Sequence, residues 1–271
     1  MEISPLNNSN ILTLQFPEAK SIIVSGDVHG EFNYLVNKLC FQYEMKDTVL
    51  IVAGDCGFGF EQKGYYENIV RRNIKRMNEA NNWIVFVRGN HDNPAYFDGT
   101  TFNHNRFVAV PDYAVLQACG HTILCIGGAI SIDRQGRKDS RAHRQNIYPQ
   151  SDNPLARNGY WKDEAPVYKA ENLDTINEHF VIDTVITHTA PSFCELITKE
   201  GLEECAAKDE GNLLADVKAE RQAMDDIHQH LLNNNHPITH WLYGHFHQSW
   251  HSVIGNILFK MLDIMEFYEL R

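Results

Sequence analysis

The chain has 271 residues, a formal net charge of −11 at pH 7, a charged fraction of 22% and a hydrophobic fraction of 43%. Such a balance belongs to a folded chain with a sizeable core and excludes one dominated by disorder. It also excludes a broad basic footprint for duplex nucleic acid, so a phosphate-bearing ligand would need bound cations to supply the missing positive charge.

Met1 to Asn10 has no basic segment followed by a long apolar one, and no run reaches the eighteen or so apolar residues of a membrane span. A cytoplasmic protein without a membrane partner is expected. The six cysteines, Cys40, Cys56, Cys119, Cys125, Cys194 and Cys205, show no CxxC pairing, which argues against both a disulfide framework and a zinc knuckle. They read as buried or idle thiols, although Cys56 follows Asp55 in a chemically suggestive loop. One domain over residues 1–271 is the simplest partition for a chain of this length.

Taken in order, Ile11 to Phe16 reads as a strand, and Ser21 to Ser25 as a buried one that runs into Gly26-Asp27-Val28-His29-Gly30. From Glu31 to Tyr43 the apolar residues Phe32, Leu35, Val36, Leu39 and Cys40 fall at helical spacing. Thr48 to Ala53 is a continuous apolar strand ending in Gly54-Asp55-Cys56-Gly57, and a helix is expected from Gly64 to Asn81. Trp83 to Val87 is the next strand, ending in Arg88-Gly89-Asn90-His91-Asp92. Buried strands separated by helical crossovers form parallel sheets covered on both faces. Ligands bind such sheets at the carboxyl ends of the strands, where Asp27, His29, Asp55, Asn90 and His91 all fall. Asp92, just before Asn93-Pro94, reads as a helix cap.

Phe107 to Val110, Tyr113 to Gln117 and His121 to Ile126 are short, closely spaced strands, so the sheet is expected to become antiparallel or mixed. An irregular insert follows over about residues 129–165, long enough to suggest a cover for a site. Within it Arg134, Arg137, Arg141 and Arg144 fall at i, i+3, i+7 and i+10, with Lys138 and His143 alongside. This stripe reads either as a solvated helical face or as a phosphate clamp. Tyr160-Trp161 reads as a stacking platform for a base or as core packing.

Ala165 to His179 reads as a helix, and Val181 to Thr187 as a strand ending in Thr187-His188-Thr189-Ala190-Pro191. A long helix spans Asn212 to Asn234, with His228, His230, His236 and His240 read as surface residues. Ile238 to Tyr243 is the last core strand and ends in Gly244-His245-Phe246-His247. The remaining segments, His251 to Val253, Asn256 to Leu262 and Glu266 to Leu270, read as an antiparallel tail.

The five strand-end blocks GDVHG, GDCG, GNHD, THTAPS and GHFH, spanning residues 22 to 247 in this order, resemble the calcineurin-like metallophosphoesterase superfamily. The resemblance implies an α/β fold, a four-layer α/β/β/α sandwich of mixed sheets with helices on the outer faces. It implies that Asp27, His29 and His247 hold one divalent metal, that Asn90, His188 and His245 hold a second, and that Asp55 bridges them. Two such cations clamp a phosphoryl group and lower the pKa of a shared water, so that hydroxide forms near neutral pH. Nitrogen and oxygen ligands without thiolates suit Mn, Fe, Zn or Ni.

By the same resemblance His91 faces substrate as the general acid that protonates the leaving oxygen. The expected activity is a phosphoric ester hydrolase, a phosphatase or phosphodiesterase acting on a small phosphorylated substrate, with a nucleotide among the candidates. The alternative is a catalytically silent binding or scaffold protein that keeps the fold. One departure stands out. Ser/Thr protein phosphatases of the superfamily read GDxxDRG at the second block, whereas Phe58 and Gly59 stand here in place of the Asp-Arg pair. That resembles a divergent bacterial or phage-type branch, as does Gly127-Gly128-Ala129-Ile130-Ser131-Ile132-Asp133-Arg134. Phosphate binding is then expected to shift to Arg134 and Arg137.

Overall fold

The computed structural model describes residues 1–6, 11–62, 64–139, 159–194 and 201–271. Its strands alternate between two burial environments, and this alternation builds the layers. In β3 (Ser21–Ser25), β4 (Thr48–Ala53) and β5 (Trp83–Val87), Ile22, Val24, Val49, Ile51, Val85 and Val87 face one core, while Ile23, Leu50, Val52, Ile84 and Phe86 face another. Successive side chains of a strand point to opposite faces, so apolar residues at every position require cover on both.

The inner core joins two sheets. Six strands run in the order β14 (Phe267–Leu270), β3, β4, β5, β7 (Phe107–Ala109), β6 (Asn103–His104). Eight more run β1 (Glu2–Pro5), β2 (Leu12–Phe16), β8 (Ala114–Ala118), β9 (His121–Ile126), β10 (Thr184–Thr187), β11 (His240–Tyr243), β13 (Ile257–Met261), β12 (Trp250–Ile254). Both sheets mix parallel and antiparallel pairs. Phe32–Asn37, its continuation Lys38–Gln42 and the helix Tyr65–Ala80 cover the outer face of the six-stranded sheet. Ala170–His179 and Leu213–Asn233 cover that of the eight-stranded sheet. The expected four-layer α/β/β/α sandwich is the observed fold.

Local chemistry sets the helix ends. Gly64 and Asn81 adopt left-handed φ of 88° and 51° on either side of Tyr65–Ala80, and the Asn212 side chain accepts the Ala215 N–H at 3.2 Å to cap the long helix. The helix read from Ala165 begins only at Ala170. Pro166 biases Ala165 toward extended backbone, and the Tyr113 hydroxyl holds the next residues by donating to Val167 O at 2.7 Å and accepting from Lys169 N at 2.8 Å.

Two further expectations need correcting. The tail does not stay together: β12 and β13 join the eight-stranded sheet, and β14 crosses to pair antiparallel with β3. Nor is His236 a surface residue. It is buried, its Nδ1 accepts the Ile182 N–H at 3.0 Å, and its Nε2 donates to Asn177 Oδ1 at 2.5 Å. Among the described residues no helix is long and apolar enough to cross a membrane.

Candidate metal centre

Register brings the ligand-bearing loops to one rim. Ser25 pairs with Val52 and Ala53 with Val87 in one sheet, and Ile186 with Leu242 in the other. The loops after β3, β4 and β5 therefore leave level within one sheet and those after β10 and β11 within the other, and contacts such as His245 N to Asp27 Oδ1 and His188 Nδ1 to Ala53 O join the two sets.

Candidate ligand atoms of Asp27, His29, Asp55 and His247 all lie within 4.8 Å of one another, as do those of Asp55, His188 and His245. Asp27 Oδ2 is 2.9 Å from His247 Nε2 and 3.6 Å from His29 Nε2, and those two nitrogens are 3.0 Å apart. His188 Nε2 lies 3.2 Å from Asp55 Oδ1 and 3.0 Å from Asn90 Oδ1. Ring nitrogens and carboxylate oxygens aimed at a common point suit a divalent cation, which accepts all their lone pairs together.

The backbone is held in costly shapes to achieve this. His29, Asp55, His245 and His247 have φ of 49°, 46°, 72° and 52°, left-handed values that persist where the surroundings over-determine them and that cluster at ligand clamps. Cross-links between loops do the determining. Asp55 O accepts from Val28 N at 3.0 Å and His29 N at 2.8 Å, Asp55 Oδ1 accepts from His91 N at 2.7 Å, and Asp27 Oδ1 accepts from His245 N at 2.9 Å. Two preceding glycines permit the approach: a Cβ on Gly54 would lie 2.2 Å from His188 Nδ1, and one on Gly89 would lie 2.2 Å from Asp55 Oδ1.

Asp92 does not cap a helix; Asn93 does, accepting from Ala95 N at 3.0 Å. The Asp92 carboxylate instead accepts from Cys56 N at 2.9 Å, Gly57 N at 2.7 Å, Phe58 N at 2.9 Å and Gly89 N at 2.8 Å, tying the second ligand loop to the third. Burial, followed by the nearby Asp55 charge, raises the Asp92 pKa.

Electrostatics at the centre turn on Asp55. Burial opposes its charge, but His188 and His91 overcome this and hold the carboxyl well below its usual range. Burial likewise opposes a charge on His188, and the Asp55 carboxylate prevails, raising it to about 9. His188 Nδ1 donates to Ala53 O at 2.8 Å, which leaves Nε2 directed at the cluster. Cys56 is buried, donates to Val87 O at 3.2 Å, and is pushed far up by burial and the adjacent Asp92 and Asp55 charges. It has none of the thiolate character of a nucleophile.

Phe58 has an apolar explanation. Its ring is fully buried against Phe102, Tyr66, Phe32, Phe86 and Tyr96 at centroid distances of 4.8–5.3 Å. It anchors the second ligand loop by packing. Gly59 follows with φ of 96°, and a Cβ there would lie 2.5 Å from Asn93 Cβ.

The two arginines of the insert part company. Arg134 is buried and committed elsewhere, bidentate to Asp209 at 2.9 and 2.6 Å and bonded to Asp216 at 2.6 Å. That correction removes it from the phosphate clamp. Arg137 Nη2 touches His91 Nε2, and its Nε pairs with Asp133 Oδ2 at 2.8 Å. Burial, and then the Arg137 guanidinium, pull His91 down to about 4 against the opposing Asp55 charge. Arg141, His143 and Arg144 lie outside the described residues. Tyr160 and Trp161 are buried, and it is Phe60 that stands nearer the site, 5.4 Å from the Trp161 ring and 6.3 Å from the His91 ring.

Two polar residues at this site escaped the sequence reading. Ser131 Oγ accepts from Asn90 Nδ2 at 2.9 Å, and Glu164 accepts from both the hydroxyl and the amide of Ser131. Ser131 lies in the singled-out glycine-rich stretch, but nothing in the spacing of Glu164 marks it.

Clusters of Asp, Asn and His at the carboxyl rim of a double-sheet sandwich define a metal-dependent phosphoesterase scaffold. Residues 20–249 match the model of the calcineurin-like phosphoesterases, and the chain belongs to that family. No protein of curated function matches it. Among solved structures, TT1561 of Thermus thermophilus is 13% identical with a TM-score of 0.47, covering 91% of this chain and 90% of its own. The phosphopantetheinyl hydrolase PptH from Mycobacterium tuberculosis is 13% identical with a TM-score of 0.40, covering 92% and 95%. A dimetal phosphatase from Danio rerio is 10% identical with a TM-score of 0.43, covering 92% and 89%.

Proposed function

We propose that this chain, acting as a single domain, is a dinuclear metal-dependent phosphoesterase that hydrolyses small phosphorylated substrates, mono- or diesters, with nucleotides among the candidates. The observation that carries this reading is Asp55, which belongs to both ligand clusters and so can hold two cations close together. In this reading Asp27, His29 and His247 hold one cation, and Asn90, His188 and His245 the other. Bound divalent metals, Mn, Fe, Zn or Ni by donor type, neutralise phosphate charge and activate a water.

The chain's own residues do the rest. Arg137 binds a non-bridging oxygen of the phosphoryl group through its guanidinium. His91, beside it, delivers a proton to the leaving oxygen; the anionic substrate opposes the pull that Arg137 and burial exert on its charge. Phe60 forms an apolar wall on the leaving-group side.

The test is a screen of the chelated, metal-reconstituted protein on p-nitrophenyl phosphate, its bis ester, cyclic nucleotides and dinucleoside polyphosphates. Turnover that requires added metal is expected. A chain that binds two cations and hydrolyses none of these esters would favour the scaffold alternative.

A further inference from the structure

Asn90 can serve a cation only through its side-chain oxygen. An amide has two nearly isosteric ends, and which one faces the metal depends on the partners around it. Here Oδ1 lies 3.0 Å from His188 Nε2 on the cluster side, and Nδ2 donates to Ser131 Oγ at 2.9 Å on the other.

Ser131 can accept from Asn90 only if its own single proton points elsewhere. It does, because Ser131 Oγ donates to Glu164 Oε2 at 2.7 Å, while Ser131 N donates to Glu164 Oε1 at 2.8 Å. The Ser131 N–H can only donate, so it claims Glu164 Oε1 as acceptor and leaves Oε2 to receive the Ser131 hydroxyl; the direction of the chain is set from its far end. Asn90, Ser131 and Glu164 are 3%, 2% and 1% exposed, which leaves little room for water to substitute for any link. The main chain of Glu164 is itself clamped: its carbonyl accepts from Ala129 N at 3.1 Å and from Arg88 Nη1 at 2.8 Å.

We propose that Glu164 and Ser131 are positioning residues that fix the Asn90 amide with its oxygen toward the metal. The proposal rests on the reading of Asn90 as a ligand. Residues behind a metal ligand commonly change affinity about 10- to 100-fold when removed.

The decisive variant is Glu164→Gln, which keeps shape and reverses the direction. The introduced side-chain amide donates to Ser131 Oγ, Ser131 then donates to Asn90, and Asn90 turns its NH₂ toward the cation. Mn²⁺ binding to the chelated full-length chain, followed by isothermal calorimetry and by the electron paramagnetic resonance of free Mn²⁺, is expected to show two sites in the wild type. In Glu164→Gln one site weakens about 10- to 100-fold and the other keeps its affinity. In an Asn90→Ala background, Glu164→Gln should add no further loss, an outcome that a merely structural role would not produce.

Equal weakening of both sites, wild-type affinity in Glu164→Gln, or an undiminished loss in the Asn90→Ala background would each overturn this inference while leaving the dinuclear reading intact. A wild-type chain that takes up fewer than two Mn²⁺ would instead overturn the dinuclear reading and, with it, this one. If Glu164→Gln does not fold, Ser131→Ala carries the same comparison, with about tenfold selective weakening expected and none overturning the inference.

Discussion

His29 Nε2 and His247 Nε2 face each other at 3.0 Å, although 218 residues separate them and they stand on loops from different sheets. Both converge on the buried Asp27 Oδ2. Two imidazoles and a carboxylate brought this close offer a cation several donors at once, and both histidines hold a left-handed φ of the kind found at ligand clamps.

Metal binding should therefore stabilise the fold. A ligand at 100 times its Kd adds about 2.7 kcal/mol, which for a chain of this size corresponds to a Tm rise of about 5–10 °C. Differential scanning calorimetry of the chelated protein, before and after addition of Mn²⁺ or Zn²⁺, checks this. An unchanged Tm would count against the clusters as cation sites.

Asp55→Asn should reduce hydrolysis of p-nitrophenyl phosphate and of its bis ester together, by more than about 100-fold, because both clusters lose their shared carboxylate. Steady-state kinetics on the two substrates provide the check. Loss of one activity with retention of the other would contradict a shared centre.

His91→Ala separates chemistry from binding. An alkyl phosphate, whose leaving oxygen needs a proton, should slow by about 10²–10⁴-fold, whereas p-nitrophenyl phosphate, which needs none, should slow by less than about tenfold. Comparable losses for both would remove the general-acid role.

The paired arginines should fail differently. Arg137→Ala is expected to raise KM about 10- to 100-fold, the value of a charge-assisted contact with phosphate, with little change in Tm. Arg134→Ala removes the bidentate partner of Asp209, which keeps Lys138 Nζ at 3.8 Å and the Gly211 N–H at 3.1 Å, and should cost about 1–3 kcal/mol of stability, with KM near wild type. Kinetics and thermal melts on the same two variants decide between these roles, and a KM effect at Arg134 alone would reverse them.

Much of this architecture is written locally. Val49 to Ala53 and Trp83 to Val87 are apolar at every position, so they must be buried on both faces, and the polar residues at which each run breaks fall at the rim where ligands gather. Asp27, His29, Asp55, Asn90, His188, His245 and His247 are legible for that reason as strand-end residues, which the structure gathers at that rim; their roles as ligands belong to the proposed function. Asp92 is not, because its four amide donors come from two loops. That Phe58 stands in place of a polar partner is plain from the sequence, but its place in an aromatic cluster contributed by several elements is not.

The chain by itself determined the central strands and the long helices and which residue types stand at their ends, since periodicity and end chemistry depend on neighbours in sequence. Tertiary structure alone decided that Arg137 rather than Arg134 reaches His91, that β14 crosses to the sheet of β3, and that Glu164 meets Ser131 behind Asn90. Those outcomes depend on sheet order and on where each loop lands, and a contact between residues 33 or 75 positions apart leaves no periodic trace in the sequence between them.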